Sequence, residues 1–236
     1  MATFLQLVQD LSNECGIAGT GPTTVVGQTG ENGDLVRWVS KAYKELQLKH
    51  GGRWRWLRRD FTFNTTSGED TYAFGDVTDV DDSAVISRFQ TWRNNDWEDP
   101  PKIYLTSGGV GAERWMIYVP WEWFKQIYKI GTQTSGMPHH VTTDPQDNIV
   151  IGPATTDEHT ITGEYWRSPQ ILAADADVPE MPVQFHDLIV YMAMEKYAGI
   201  ESAPEMMARA KGEGRPMLRS LENNQMPKFR KAGPMA

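Results

Sequence analysis

The spacing of apolar residues changes twice along this chain, and that change constrains the fold more than any motif does. Near the start, Phe4, Leu7, Val8, Leu11 and Cys15 recur at helical spacing and share one face. Thr3 followed by Gln6 makes a capping box, and Gly16 can close the helix. A Gly- and Thr-rich loop runs from Gly16 to Gly33. Leu35, Trp38, Val39, Ala42, Tyr43 and Leu46 then form a longer stripe, with Arg37, Lys41, Lys44 and Glu45 opposite, until Gly51-Gly52 stops it. From Trp54 the period falls to two. Trp54, Trp56, Phe61 and Phe63 alternate with polar residues, and Thr71-Tyr72-Ala73-Phe74 follows a turn at Ser67-Gly68, so a hairpin is expected. Further strand-like runs occupy 103–105, 115–119, 149–151 and 160–166. One helical piece, with Trp121, Phe124, Ile127 and Tyr128 behind Pro120, interrupts them.

Helical spacing returns with Phe185, Leu188, Ile189, Met192, Ala193 and Tyr197, and Gly199 ends it. Ser202-Ala203-Pro204-Glu205 reads as another capping box. It opens a helix carrying Met206, Met207, Ala210, Met217, Leu218 and Leu221, in which Gly212, Gly214 and Pro216 predict a kink or break. Residues 225–236 show no period and read as an extended tail. The expected fold is therefore α+β: a split antiparallel helical bundle of two N-terminal and two C-terminal helices, with a β-rich insertion. The boundaries fall at 1–59 and 183–224 for the bundle, 60–182 for the insertion and 225–236 for the tail. No amphipathic helix can bury its stripe alone, so Trp38 and Tyr43 are expected to pack against Phe185 and Ile189.

Charge follows the same three parts. The 236 residues carry a net charge of −8. Residues 1–59 hold eight basic and five acidic groups, 60–182 seven and twenty, and 183–236 eight and six. The acidic middle reads either as a solvated face or as a surface that repels nucleic acid. Hydrophobic residues at 39%, a mean hydropathy of −0.51 and no apolar run of about 18 residues exclude a helical membrane span. Met1-Ala2-Thr3-Phe4 lacks the layout of a secretory signal, and Cys15, the only cysteine, permits no intrachain disulfide; an intracellular product is expected.

No constellation reads as an active site. Gly19-Thr20-Gly21-Pro22-Thr23-Thr24 lacks the Lys-Ser/Thr ending of a phosphate loop. Asp76, Asp79, Asp81 and Asp82 miss the calcium-loop pattern, because Asp81 falls where that loop needs glycine. In a strand His139 and His140 would point to opposite faces rather than to one metal. His186 sits among core positions, Ser107 and Ser135 stand outside any nucleophile elbow, and Cys15 reads as buried and inert. Trp121-Glu122-Trp123 serves as a sugar platform or, more simply, plants two indoles in a core. No cofactor and no metal is expected.

Several segments carry a resemblance to a known family. Phe4-Leu5-Gln6-Leu7-Val8-Gln9-Asp10-Leu11, Glu14-Cys15-Gly16-Ile17, Gly21-Pro22 and Val26-Gly27-Gln28-Thr29-Gly30-Glu31 resemble the head–tail adaptor proteins of tailed bacteriophages. Trp38-Val39 through Ala42 to Gln47 and the Trp54–Phe63 stretch look like that family's second helix and first strand. Thr160-Ile161-Thr162-Gly163-Glu164-Tyr165-Trp166 looks like its late strand. Phe185-His186-Asp187-Leu188-Ile189-Val190-Tyr191, Tyr197-Ala198 and Ala203-Pro204 look like its C-terminal helix pair.

The resemblance implies a structural virion protein rather than an enzyme. Such proteins form a ring, usually of twelve copies, beneath the portal, extend the DNA channel and present a platform to the next neck or tail protein; the podovirus tail tubular protein A group is similar in role. It implies self-association, portal and neck or tail partners, duplex DNA passing without specific binding, no membrane, and assembly in the bacterial host cytoplasm. Gln225, Met226, Pro227, Lys228, Phe229, Arg230 and Lys231 are the candidate portal-binding residues, because a tail of that kind can order on a partner. Asp76, Asp79, Asp81 and Asp82 are candidates for a channel or ring surface. The alternatives are a β-rich sugar- or receptor-binding virion module, motivated by nine tryptophans, and a glycoside hydrolase using Glu122 or Glu164.

Overall fold

The structure, a computed structural model, describes residues 1–95 and 99–226. The chain divides into two compact units, Met1–Trp56 with Pro169–Ala236, and Leu57–Ser168. Together they make a mixed α+β protein.

Helices α1 (Phe4–Glu14), α2 (Gly30–Leu48), α4 (Asp187–Ile200) and α5 (Pro204–Gln225) build the first unit. The capping box of α1 forms as expected: Gln6 N–H donates to Thr3 Oγ1 at 3.3 Å and Thr3 N–H to Gln6 Oε1 at 2.9 Å. Its other end closes on Gly16 at φ +68°, where Gly16 N–H reaches Asn13 O and Ile17 N–H reaches Ser12 O. That double bond to the last turn needs a left-handed residue, which glycine supplies without strain. Helix α4 is apolar on most sides, burying Leu188, Ile189, Val190, Ala193, Met194 and Ala198, and it packs against α1, α2 and α5. A helix without a polar face belongs in the middle of its neighbours.

Several expectations change here. Trp38 is only half-buried, with the Arg37 guanidinium 4.7 Å and the Lys41 ammonium 5.6 Å from its ring centroids, so it shields a surface rather than filling a core. Tyr43 is fully buried, and its hydroxyl is tied to residues 169–182. It donates to Gln170 Oε1 at 2.8 Å and accepts from Glu180 N–H at 3.0 Å. Gln47 and Gln170 exchange two further bonds, Gln47 Nε2 to Gln170 O at 2.9 Å and Gln170 N–H to Gln47 Oε1 at 2.7 Å. These polar anchors hold an irregular segment in the helical unit where it has no helical stripe of its own. The second capping box is absent: Ser202 takes φ +52°, Ala203 is the N-cap with no side-chain bond, and Pro204 opens α5. Helix α5 runs through Gly212, Gly214 and Pro216 as one helix, and Gln225 ends it rather than starting a tail. Gly214 is buried where α5 meets α4, and a Cβ there would come to contact distance, 3.4 Å, of Tyr191 Cβ.

The second unit holds two antiparallel-rich sheets. Strands β1 (Arg58–Asn64), β3 (Thr78–Asp79), β4 (Ala84–Val85), β5 (Thr91–Trp92), β6 (Lys102–Leu105), β7 (Arg114–Trp115) and β11 (His159–Trp166) form the larger, ordered β4-β3-β1-β11-β6-β7 with β5 on β11. Strands β2 (Thr71–Tyr72), β10 (Ile149–Gly152), β9 (His140–Thr143) and β8 (Ile117–Tyr118) form the smaller, in that order. The expected hairpin between the Phe61 strand and Thr71–Phe74 does not form. β1 pairs instead with β11, Arg58 opposite Trp166 through Asn64 opposite Thr160. Beyond β1, Thr65 N–H bonds His159 O at 2.8 Å and Gly68 N–H bonds Thr155 O at 2.9 Å. The Ser67-Gly68 turn thus carries the chain from one sheet to the other. Phe63 on β1 and Tyr72 on β2 meet at 4.7 Å across the shared core, where Phe61 and Trp92 also make an edge contact at 5.0 Å.

Candidate interaction surfaces

The four aspartates expected to form one charged face divide into three roles. Asp76 lies in a short 3-10 turn and is exposed. Asp79, at the end of β3, is 2% exposed and structural rather than superficial. Its Oδ1 accepts the backbone N–H groups of Asp81 at 2.9 Å and Asp82 at 3.1 Å, and its Oδ2 accepts the Tyr165 hydroxyl at 2.5 Å. Burial, and then the bond to this carboxylate, hold the Tyr165 hydroxyl well above its ordinary range. Asp81 pairs with Arg59 at 3.1 Å and Asp82 with Arg167 at 3.3 Å. A repulsive wall cannot be read from the run 76–82 by counting, because one carboxylate is inside and two are neutralised.

At the other end of the chain, Gln225 is buried in the last turn of α5 and donates to Asn224 Oδ1 at 2.6 Å; Met226 follows in extended conformation. Pro227, Lys228, Phe229, Arg230 and Lys231 lie outside the described residues.

Helix α3 (Trp121–Tyr128) shows what the sequence reading missed. Phe124 is buried with Val119 and Val150, and Trp121 and Tyr128 pack beside them. Trp123, expected in a core, is 68% exposed, and Ile127 and Ile130 continue its stripe into solvent. An eight-residue helix with apolar groups on two faces can bury only one of them. Trp115 on β7, also 68% exposed, and Ile117 on β8 add to the uncovered apolar surface of this unit. Glu122 pairs with Lys125 at 2.6 Å on the exposed side of α3, while Glu164 is clasped by Arg93 and by Arg58, the latter at 3.3 Å.

His139 and His140 also depart from expectation. His139 precedes β9, outside its regular pleat, so the two rings lie side by side with centroids 4.3 Å apart. Both meet the Tyr128 hydroxyl, His140 Nδ1 at 2.6 Å and His139 Nε2 at 3.3 Å. Burial and then the neighbouring His139 push the His140 pKa down. His186 is buried with Nε2 facing Met181 O at 3.1 Å, and burial lowers its pKa too. Burial raises the Cys15 thiol to about 11. Among the described residues, no three His, Cys, Asp or Glu side chains gather in a metal-holding cluster, and no helix is long and apolar enough to cross a membrane.

The molecule is of the α+β class, with a helical unit interrupted by a sheet unit and apolar and charged groups displayed on its surfaces. The model of the SU10 adaptor protein family matches residues 2–232, and the chain belongs to that family: it is a bacteriophage adaptor, a structural protein of the virion. No curated protein matches the chain.

Proposed function

We propose that the chain is a head-to-tail adaptor that closes into a ring, docks beneath the portal and continues the DNA channel towards the neck or tail. The family match over 2–232 carries this reading. In it, α1, α2, α4 and α5 act as a split antiparallel bundle, and the sheet unit is the inserted module that meets neighbours. The ring has twelve copies or a number close to it, set by the portal it continues. A role similar to that of the podovirus tail tubular protein A group follows. In this reading the work is structural rather than catalytic, with Glu122 paired to Lys125 and Glu164 to Arg93 and Arg58.

In this reading the residues from Met226 to Lys231 order along the portal, Phe229 in an apolar pocket and Arg230 and Lys231 on acidic rims. Ordering costs free energy on each copy, so one copy holds weakly and a closed ring holds through avidity. Removing residues 227–236 tests this, because it spares buried Gln225. The truncated protein is expected to keep its melting temperature and to stop co-sedimenting with portal-bearing capsids. Co-sedimentation at parental stoichiometry would place the anchor elsewhere. A second reading, a sugar- or receptor-binding virion module, draws on exposed Trp115 and Trp123. Retention on glycans, abolished by Trp123→Ala, would favour it.

A further inference from the structure

The outer face of α5 carries Lys211, Arg215 and Arg219 at four-residue intervals, a row of three cations spanning about 12 Å. Arg215 and Arg219 are exposed and Lys211 is half-buried, and none of the three forms an ion pair among the described residues. Glu213, the acid between Lys211 and Arg215, is two positions from each and so points away from the row. Glu222 is engaged by His50 at 2.9 Å, and Arg209 before the row is engaged by Glu14. Like charges at i and i+4 destabilise a helix by a few tenths of a kcal/mol per pair. The same face also bears Gly212 and Pro216, two poor helix formers. Gly214 is buried against α4, but a Cβ at Gly212 would meet nothing within 4 Å. Among the described residues no contact accounts for a like-charged, weakened helix face.

We propose that this face is where a neighbouring copy of the chain docks its sheet unit, the cationic row meeting acidic side chains. The inference rests on the ring reading above. Charge complementarity selects the occupant: in the sheet unit Asp60, Glu69, Asp76, Asp147, Asp157 and Glu158 are exposed and form no ion pair among the described residues, so every neighbour offers carboxylates open to a cation. The contact is heterologous, a helix face on one copy and a sheet unit on the next, which is the kind of interface that closes a ring. Rim charges of this kind fix register and partner choice more than they add affinity. Duplex DNA, the other polyanion such a row could hold, is the competing outcome.

The test uses capsids carrying portal and an equal mixture of unlabelled and isotopically labelled full-length chain. Arg215→Lys and Arg219→Lys keep the charge and add amines for zero-length coupling to carboxylates. Mixed-label cross-links from residues 211, 215 or 219 to Asp or Glu within 57–168 are expected. With Lys211→Glu, Arg215→Glu and Arg219→Glu combined, copies bound per capsid are expected to fall about ten-fold or more, the factor that ~1.4 kcal/mol represents. Cross-links from the row only to portal or to another tail protein would overturn the proposal and leave the ring standing. So would parental loading of the charge-reversed variant, or salt-sensitive binding of duplex DNA that the reversal abolishes. Single unassociated copies of the parent on portal would overturn the ring and this interface together.

Discussion

Asp79 and Tyr165 show how far one residue's role can depart from its place in a charge run. The carboxylate closes the turn to Asp82 and takes the Tyr165 hydroxyl inside the sheet unit. Tyr165→Phe leaves a buried acceptor without its donor, and a cost of about 1–3 kcal/mol is expected in denaturant unfolding of the whole chain. A change within a few tenths would mean that water replaces the hydroxyl. Two histidines, His186 buried and His140 half-buried, set a pH dependence. His186 and His140 both have pKa values lowered by burial, so the unfolded chain binds their protons more readily. Stability is then complete above about pH 6.5 and is lost as pH falls through that value towards the folded-state pKa. Thermal melts should show a falling midpoint from about pH 7 to pH 5, and His186→Gln should flatten part of that slope. A midpoint that does not change over this interval would contradict the burial argument.

At the scale of elements, two glycines make opposite predictions. Gly212 faces open space on α5, so Gly212→Ala should stabilise the chain by about 0.5–1 kcal/mol through helix propensity. Gly163 on β11 lies opposite Phe61, and a Cβ there would stand 2.8 Å from the Phe61 ring. Gly163→Ala should therefore destabilise by about 1–3 kcal/mol, because the ring must leave its rotamer. Chemical denaturation of the two variants separates the cases by sign. The helices were legible in the sequence because their apolar stripes are local and their caps are written beside them, as at Thr3, Gln6 and Gly16. The partner of the Phe61 strand was not. β1 meets a strand about a hundred positions away, and nothing in the spacing of Phe61 and Phe63 distinguishes β11 from the nearer Tyr72. Trp38 and Trp123 misled for a related reason: a helical stripe gives the face of an indole but not what lies across from it.

For the whole molecule, the resemblance over many short segments agreed with a family match spanning 2–232, while the candidate site was less legible. Composition marked the middle as acidic but could not tell Asp79, inside, from Asp76, outside. The cationic row of α5 was present in the sequence at regular spacing, but only the structure shows that Gly212 beside it faces open space among the described residues. A protein whose channel passes DNA gains nothing by holding phosphates, since multivalent contacts bind tightly and with strong salt dependence. The purified chain is expected to show no appreciable affinity for duplex DNA near physiological salt, measured by fluorescence anisotropy. Salt-sensitive binding would count against both the channel reading and the α5 interface.

The central claim is that this adaptor works as a ring on the portal. Electron microscopy of the purified chain mixed with purified portal tests it most directly. The account predicts a closed ring coaxial with the portal, its lumen continuous with the portal channel. Portal particles that remain bare, or that carry the chain as scattered single copies on their outer wall, would contradict it.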